Sequence, residues 1–115
     1  MARLFGIHMI GLRAGVTPED FETFIVEEVY PTQQLPGLQS YLLKGERGDR
    51  EGKYLWILEF DSVERRDHYV PSPEELSEEF HRYLESTRAV WDKWATLASF
   101  PGAPTIYTDY VVVDK

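Results

Sequence analysis

Few residues in this chain are equipped for chemistry. Three histidines occur among 115 residues, at positions 8, 68 and 81, and there is no cysteine. His8 stands out by its surroundings. The stretch LFGIHMIGL, residues 4–12, is otherwise apolar or glycine, so it reads as a strand with an imidazole in its middle. An imidazole titrates near neutral pH and serves as a general acid or base, or as a hydrogen-bond partner for a ligand. The plain alternative is a half-buried histidine satisfied by one hydrogen bond at an interface. Gly6, on the same face, would leave room for a ligand or for a packed ring. Glu59 is the second candidate. It lies in the apolar stretch KYLWILEF, 53–60, where a lone carboxylate is too costly to bury unpartnered. Beside His8 it would form an acid/base pair with shifted pKa values. Against Arg3 or Arg13 it would form an ion pair instead.

Two further groups sit on TIYTDY near the C-terminus, where Tyr107 and Asp109 share one strand face. They suit a polar cavity wall, or the solvated edge of a sheet. Trp56, Trp91 and Trp94 fit a core first; Trp56 also fits an aromatic ligand-binding wall. The histidines have no metal-binding spacing and no thiolates to help them. No glycine-rich phosphate loop or dinucleotide fingerprint occurs, so no cofactor is expected. Nothing resembles the strand-turn-helix setting of a nucleophilic serine.

These groups need elements to hold them. Residues 3–13 predict a first strand. Thr17, Pro18 and Asp20 mark a helix start, and Phe21, Phe24, Ile25 and Val29 keep helical spacing up to Pro31. A second strand is expected at 37–45, a polar hairpin loop GERGDREG at 45–52 and a third strand at 53–60. Ser62 caps a short helix, VERRDHYV. Ser72, with Pro73 and Glu75, predicts the start of a long helix running to about residue 97. TIYTDYVVV closes the chain as a fourth strand. The order β-α-β-β-α-β is the split βαβ unit of an α+β, ferredoxin-like fold: one antiparallel four-stranded sheet with helices on one face. A single domain over 1–115 suits the length.

The composition sharpens this. Hydrophobic residues make up 43% and aromatics 14%. Both faces of the first and third strands are apolar-rich, too much so for a sheet with one face in water. A second copy covering that face, as a symmetric homodimer, is the expectation. The net charge of -8 disfavours nucleic acid and acidic membrane surfaces as partners. No stretch approaches the ~20 apolar residues of a membrane span. With no cleavable leader visible, a cytoplasmic location is expected.

TPEDFETFIVEEVYP before LPGLQSYLL, then YLWILEFDSVERRDHY, then a β ending, resembles the dimeric α+β barrel superfamily. The passage EFDSVERRDHY looks like that of antibiotic-biosynthesis-monooxygenase-like small barrel proteins. The resemblance implies two ferredoxin-like protomers with sheets face to face around a lumen. It also implies activities such as cofactor-independent oxygenation, isomerisation, decarboxylation or haem degradation. In the haem-degrading branch, His8 falls near a first-strand Asn position, Phe60 at a Trp position and His81 near the axial His. Helical phase puts His81 roughly 130° from the apolar stripe, which rejects that branch. Phe60 would occupy a lumen position, and Glu59 would then face the helices unless a β-bulge intervened; the charge of Glu59 argues for the lumen.

The expectation is therefore a homodimer binding a small apolar or aromatic molecule in an aromatic lumen, with His8 and Glu59 as catalytic candidates. Trp56, Phe60, Tyr107 and Asp109 are the ligand-binding candidates. If it is an enzyme, cofactor-free monooxygenation or an isomerase-like proton transfer follows. The alternative is a non-catalytic ligand-binding or structural dimer. On the first strand, odd-numbered residues are expected to meet the helices and even-numbered ones the partner's sheet.

Overall fold

Alternation in LFGIHMI makes a strand with two distinct faces, and this strand organises the rest of the protein. A computed structural model describes residues 3–101 and 107–113. β1 (Leu4–Ile10), β2 (Leu38–Lys44), β3 (Tyr54–Phe60) and β4 (Tyr107–Val111) form one antiparallel sheet in the order β2-β3-β1-β4. The central pair is thus β1 and β3, the two most apolar strands. β1 and β2 lie either side of β3, so the connection through the first helix is the split βαβ crossover anticipated from the sequence. The remainder of the expected fourth strand, residues 105–106, lies outside the described residues.

α1 (Pro18–Phe24) starts at Thr17, whose hydroxyl accepts a hydrogen bond from the Asp20 amide at 3.1 Å. It continues through a π-helical turn, Ile25–Val29, and a 3-10 turn, Tyr30–Thr32, around Pro31. α2 (Val63–Tyr69) is capped by Ser62, which accepts from the Arg65 amide.

The long helix differs from expectation in two ways. It starts at Glu78 rather than at Pro73, and it divides into α3 (Glu78–Ser86) and α4 (Arg88–Leu97). Ser77 is the cap, accepting from the Phe80 amide at 3.1 Å. Ser72 instead opens a turn closed by the Glu75 amide on the Ser72 carbonyl. The Ser77 amide donates to the Tyr69 carbonyl at 2.7 Å, so the segment after α2 must fold back before a helix can begin. The division falls at Thr87, with φ -112° and ψ 18°. Its hydroxyl donates to the Tyr83 carbonyl at 2.7 Å and accepts from the Trp91 indole at 2.9 Å. A side chain bonding back to its own preceding turn bends a helix.

All helices cover one sheet face. Leu4, His8 and Ile10 of β1 and Tyr54, Trp56 and Phe60 of β3 are buried beneath them. This reverses the expected assignment of β1: its even-numbered residues meet the helices. Trp94 is wholly buried and packs edge-to-face on Phe21, Phe24 and Trp56, fixing α4 to α1 and β3. A second cluster joins Leu4, Phe60, Tyr69 and Phe80. The opposite sheet face carries Phe5, Ile7 and Met9 of β1, and Leu55, Ile57 and Glu59 of β3. Met9 (37% exposed), Leu43 (47%) and Tyr110 (54%) are open there. No helix among the described residues is long and apolar enough to cross a membrane.

Candidate active site

Strand register decides which candidates meet, because directly opposed residues share a face. Tyr107, His8, Trp56 and Leu42 form one row across the four strands, and Asp109, Gly6, Leu58 and Ser40 form the next. Both rows face the helices. Between them and the helical layer lies a cavity of about 600 Å³, whose wall includes His8, Trp56, Phe60, Tyr107 and Asp109. α3 and α4 contribute Phe80, Tyr83 and Trp91, and the segment after α2 contributes Val70 and Leu76.

Glu59 stands apart. It pairs in register with Phe5 and Gln39, on the opposite sheet face from His8. The register of β1 with β3 runs without interruption from Leu4–Phe60 to Ile10–Tyr54, so no bulge turns it inward. The expected His8–Glu59 pair is therefore corrected. Glu59 has found other partners for its charge: Arg3 at 3.2 Å and the hydroxyl of Tyr41, which donates to it. Desolvation of the Tyr41 phenol, then its hydrogen bond to the Glu59 carboxylate, raise it to a pKa of about 12. The rule that a carboxylate in an apolar strand needs a partner was sound; the partner is the ion-pair alternative. His81 is exposed, and His68 is exposed and contacts Glu79 at 2.8 Å.

His8 is 7% exposed. Its Nδ1 lies 3.4 Å from the Trp56 carbonyl oxygen. A carbonyl only accepts, so Nδ1–H donates and Nε2 carries the lone pair. His8 also lines the cavity. Tyr107 stacks on the imidazole, with centroids 5.2 Å apart and planes 18° from parallel. Desolvation lowers the His8 pKa below 6.5, against the opposing pull of the Trp56 carbonyl, the Asp109 carboxylate and the Gly6 carbonyl. The ring is thus neutral at pH 7 and able to take up a proton.

Asp109 is fixed by Arg66 of α2, whose Nη1 donates to Oδ2 at 2.6 Å while its Nε donates to Asp67 at 2.9 Å. The other oxygen, Oδ1, sits over Gly6, where a Cβ would come within 2.8 Å of it and 3.7 Å from His8 Cε1. Gly6 therefore makes room for a carboxylate beside the imidazole. Arg66 was not singled out from the sequence, since VERRDHY reads as a charged, solvated helix. Its role depends on α2 lying close enough for the Arg66 side chain to reach Asp109 of β4, which no local pattern shows. Among the described residues no group of three or more potential ligands could hold a metal ion.

The chain matches SnoaB, a cofactor-independent oxygenase from Streptomyces nogalater, over 100% of its own length and 97% of that chain, with a TM-score of 0.51 and 13% sequence identity. The likeness confirms the α+β, ferredoxin-like architecture expected from the sequence. At this identity the likeness concerns the backbone and not the site. No protein-family model matches the chain, and no curated protein matches it.

Proposed function

We propose that this protein binds a small, mostly apolar aromatic molecule in the cavity between sheet and helices, and that His8 acts there as a general base. The cavity of about 600 Å³ with a buried imidazole in its wall carries the reading, since ligand sites are concave, largely apolar and equipped with a few placed polar groups. Nε2 removes a proton from a phenolic hydroxyl or an enolisable carbon. The resulting imidazolium is favoured by the Trp56 carbonyl and the Asp109 carboxylate, and Tyr107 holds the ring plane. Returning the proton to another carbon isomerises the substrate. Alternatively, the electron-rich anion reacts with dioxygen: the substrate loses two hydrogens and gains one oxygen, and the second oxygen leaves as water. Such a substrate supplies its own electrons. SnoaB is an oxygenase that works without a cofactor, and this supports the oxygenation branch.

The homodimer belongs to the same proposal. Met9, Leu55 and Leu43 form an apolar row across three strands on the helix-free face, and Tyr110 lies open on the same face, opposite Phe5. A patch of this kind calls for a partner, and a second copy of the same face supplies one. Light scattering should give the mass of two chains, with Leu43→Arg giving one; a monomeric wild type would sink the dimer.

For the cavity, the test is thermal shift and oxygen uptake with a panel of hydroxylated naphthalenes. Wild type should be stabilised and should consume oxygen or isomerise at least one compound, and His8→Ala should bind without turnover. Stabilisation with no reaction in wild type would leave the non-catalytic binding reading. No stabilisation by any compound would remove both.

A further inference from the structure

Resting on the cavity reading, the hydrogen-bonding inventory at its polar end identifies the ligand class more narrowly. His8 is more than nine-tenths buried, and its one N–H is taken by the Trp56 carbonyl. What it offers the cavity is the Nε2 lone pair, an acceptor. Asp109 offers Oδ1, also an acceptor, because Oδ2 is occupied by Arg66. Oδ1 stands over the bare Cα of Gly6, near His8 Cε1, so the carboxylate and the imidazole share one notch. Arg66 is the cation among the described lining residues; its Nε–H and one Nη1–H donate to Asp67 and Asp109, so its positive charge is shared between those two carboxylates. Of the acidic groups lining the cavity, Asp67 and Asp109 share that one guanidinium, while Glu74 adds a further negative charge.

We propose that the polar end of the cavity recognises hydrogen-bond donors. The ligand presents hydroxyl or ammonium groups to His8 Nε2 and Asp109 Oδ1, and carboxylate ligands are disfavoured. The physical reason is twofold. An anion brought to two acceptors leaves both unpaired, and buried unpaired polar groups are costly. It also meets a wall where three carboxylates face one guanidinium, and like-charge juxtaposition disfavours it.

Three probes on one ring system test this by calorimetry at pH 7: naphthalene-2,3-diol, 2-naphthylmethylammonium and 2-naphthoate. Wild type should bind the diol and the ammonium at least about tenfold more tightly than the carboxylate. Asp109→Asn should erase most of the ammonium preference while the diol still binds. Arg66→Met, which leaves the Asp109 charge uncompensated, should strengthen ammonium binding and weaken naphthoate binding further. If Asp109→Asn does not fold, the Arg66→Met result carries the test alone. Naphthoate binding as tightly as the other two, or ammonium affinity unmoved by either variant, would overturn the donor-recognition proposal while leaving the cavity as a binding site. Failure of all three probes to bind would overturn both.

Discussion

At the scale of residues, His8 is a buried imidazole whose pKa burial holds below 6.5. Its depressed pKa has a consequence for stability whose sign follows from proton counting. The unfolded chain takes up a proton at the ordinary pKa of 6.5, and the folded chain only at lower pH. Between these values the unfolded state binds more protons, so stability falls as pH drops through 6.5 and levels off below the folded pKa. Titration by NMR should place His8 below 6.5. Urea unfolding should show a loss of at most about 1.4 kcal/mol per pH unit from this group, absent in His8→Gln. Any rate that depends on unprotonated His8 should rise through the folded pKa and be flat at neutral pH.

Gly6 makes a second, separable prediction. A methyl group there comes within 2.8 Å of Asp109 Oδ1, the end of a side chain that can move. Replacing glycine in a strand also removes unfolded-state entropy. Gly6→Ala should therefore change stability by no more than about 1 kcal/mol, yet weaken ligand binding by displacing Asp109. A loss of several kcal/mol in urea unfolding would show that the notch cannot yield.

At the scale of elements, the cap residues decide where helices begin. Ser77 satisfies an otherwise orphaned amide at the start of α3, so Ser77→Ala should cost about 1 kcal/mol in chemical denaturation. Ser72 contacts only the Glu75 side chain through its hydroxyl, at the exposed surface, so Ser72→Ala should fall within about 0.5 kcal/mol of wild type. The reverse order would restore the helix start expected from Ser72-Pro73. Both serines carry an acidic residue two or three positions on, and Pro73 made the first look better. The choice was made by the Ser77 amide reaching the Tyr69 carbonyl, a contact between segments that no capping rule contains. Thr87 behaves likewise: it sits on the apolar stripe, and its hydroxyl bends the helix there.

At the scale of the molecule, the aromatic cluster around Trp94 is the main fastening of sheet to helices. Trp94→Ala should cost about 3–5 kcal/mol, a large share of the 5–15 kcal/mol typical of a small domain. Circular dichroism melts would show it as a lower midpoint or an unfolded chain. Trp56 belongs to the same cluster and also lines the cavity. Ligand binding should therefore raise the melting temperature of the whole domain rather than order a local segment, by an amount that grows with the logarithm of free ligand over its dissociation constant.

The sequence by itself determined the order of elements, the loop between β2 and β3, the caps at Thr17 and Ser62, and the alternation that puts His8 opposite Ile7 and Met9. Each rests on local chemistry: hydrogen bonds a few residues apart, or the two-residue period of a strand. It also showed that Glu59 needs a charged partner. Which face of β1 meets the helices was decided only by the tertiary structure, because both faces are apolar and period-two alternation carries no information about direction. The same ambiguity sent Glu59 toward His8, whereas the uninterrupted register put them on opposite faces. The meeting of Arg66, Asp109 and Gly6 likewise joins a helix, an edge strand and a central strand. Residues so far apart in sequence come together only when the sheet is assembled, and it is there that the imidazole at position 8 gains a cavity.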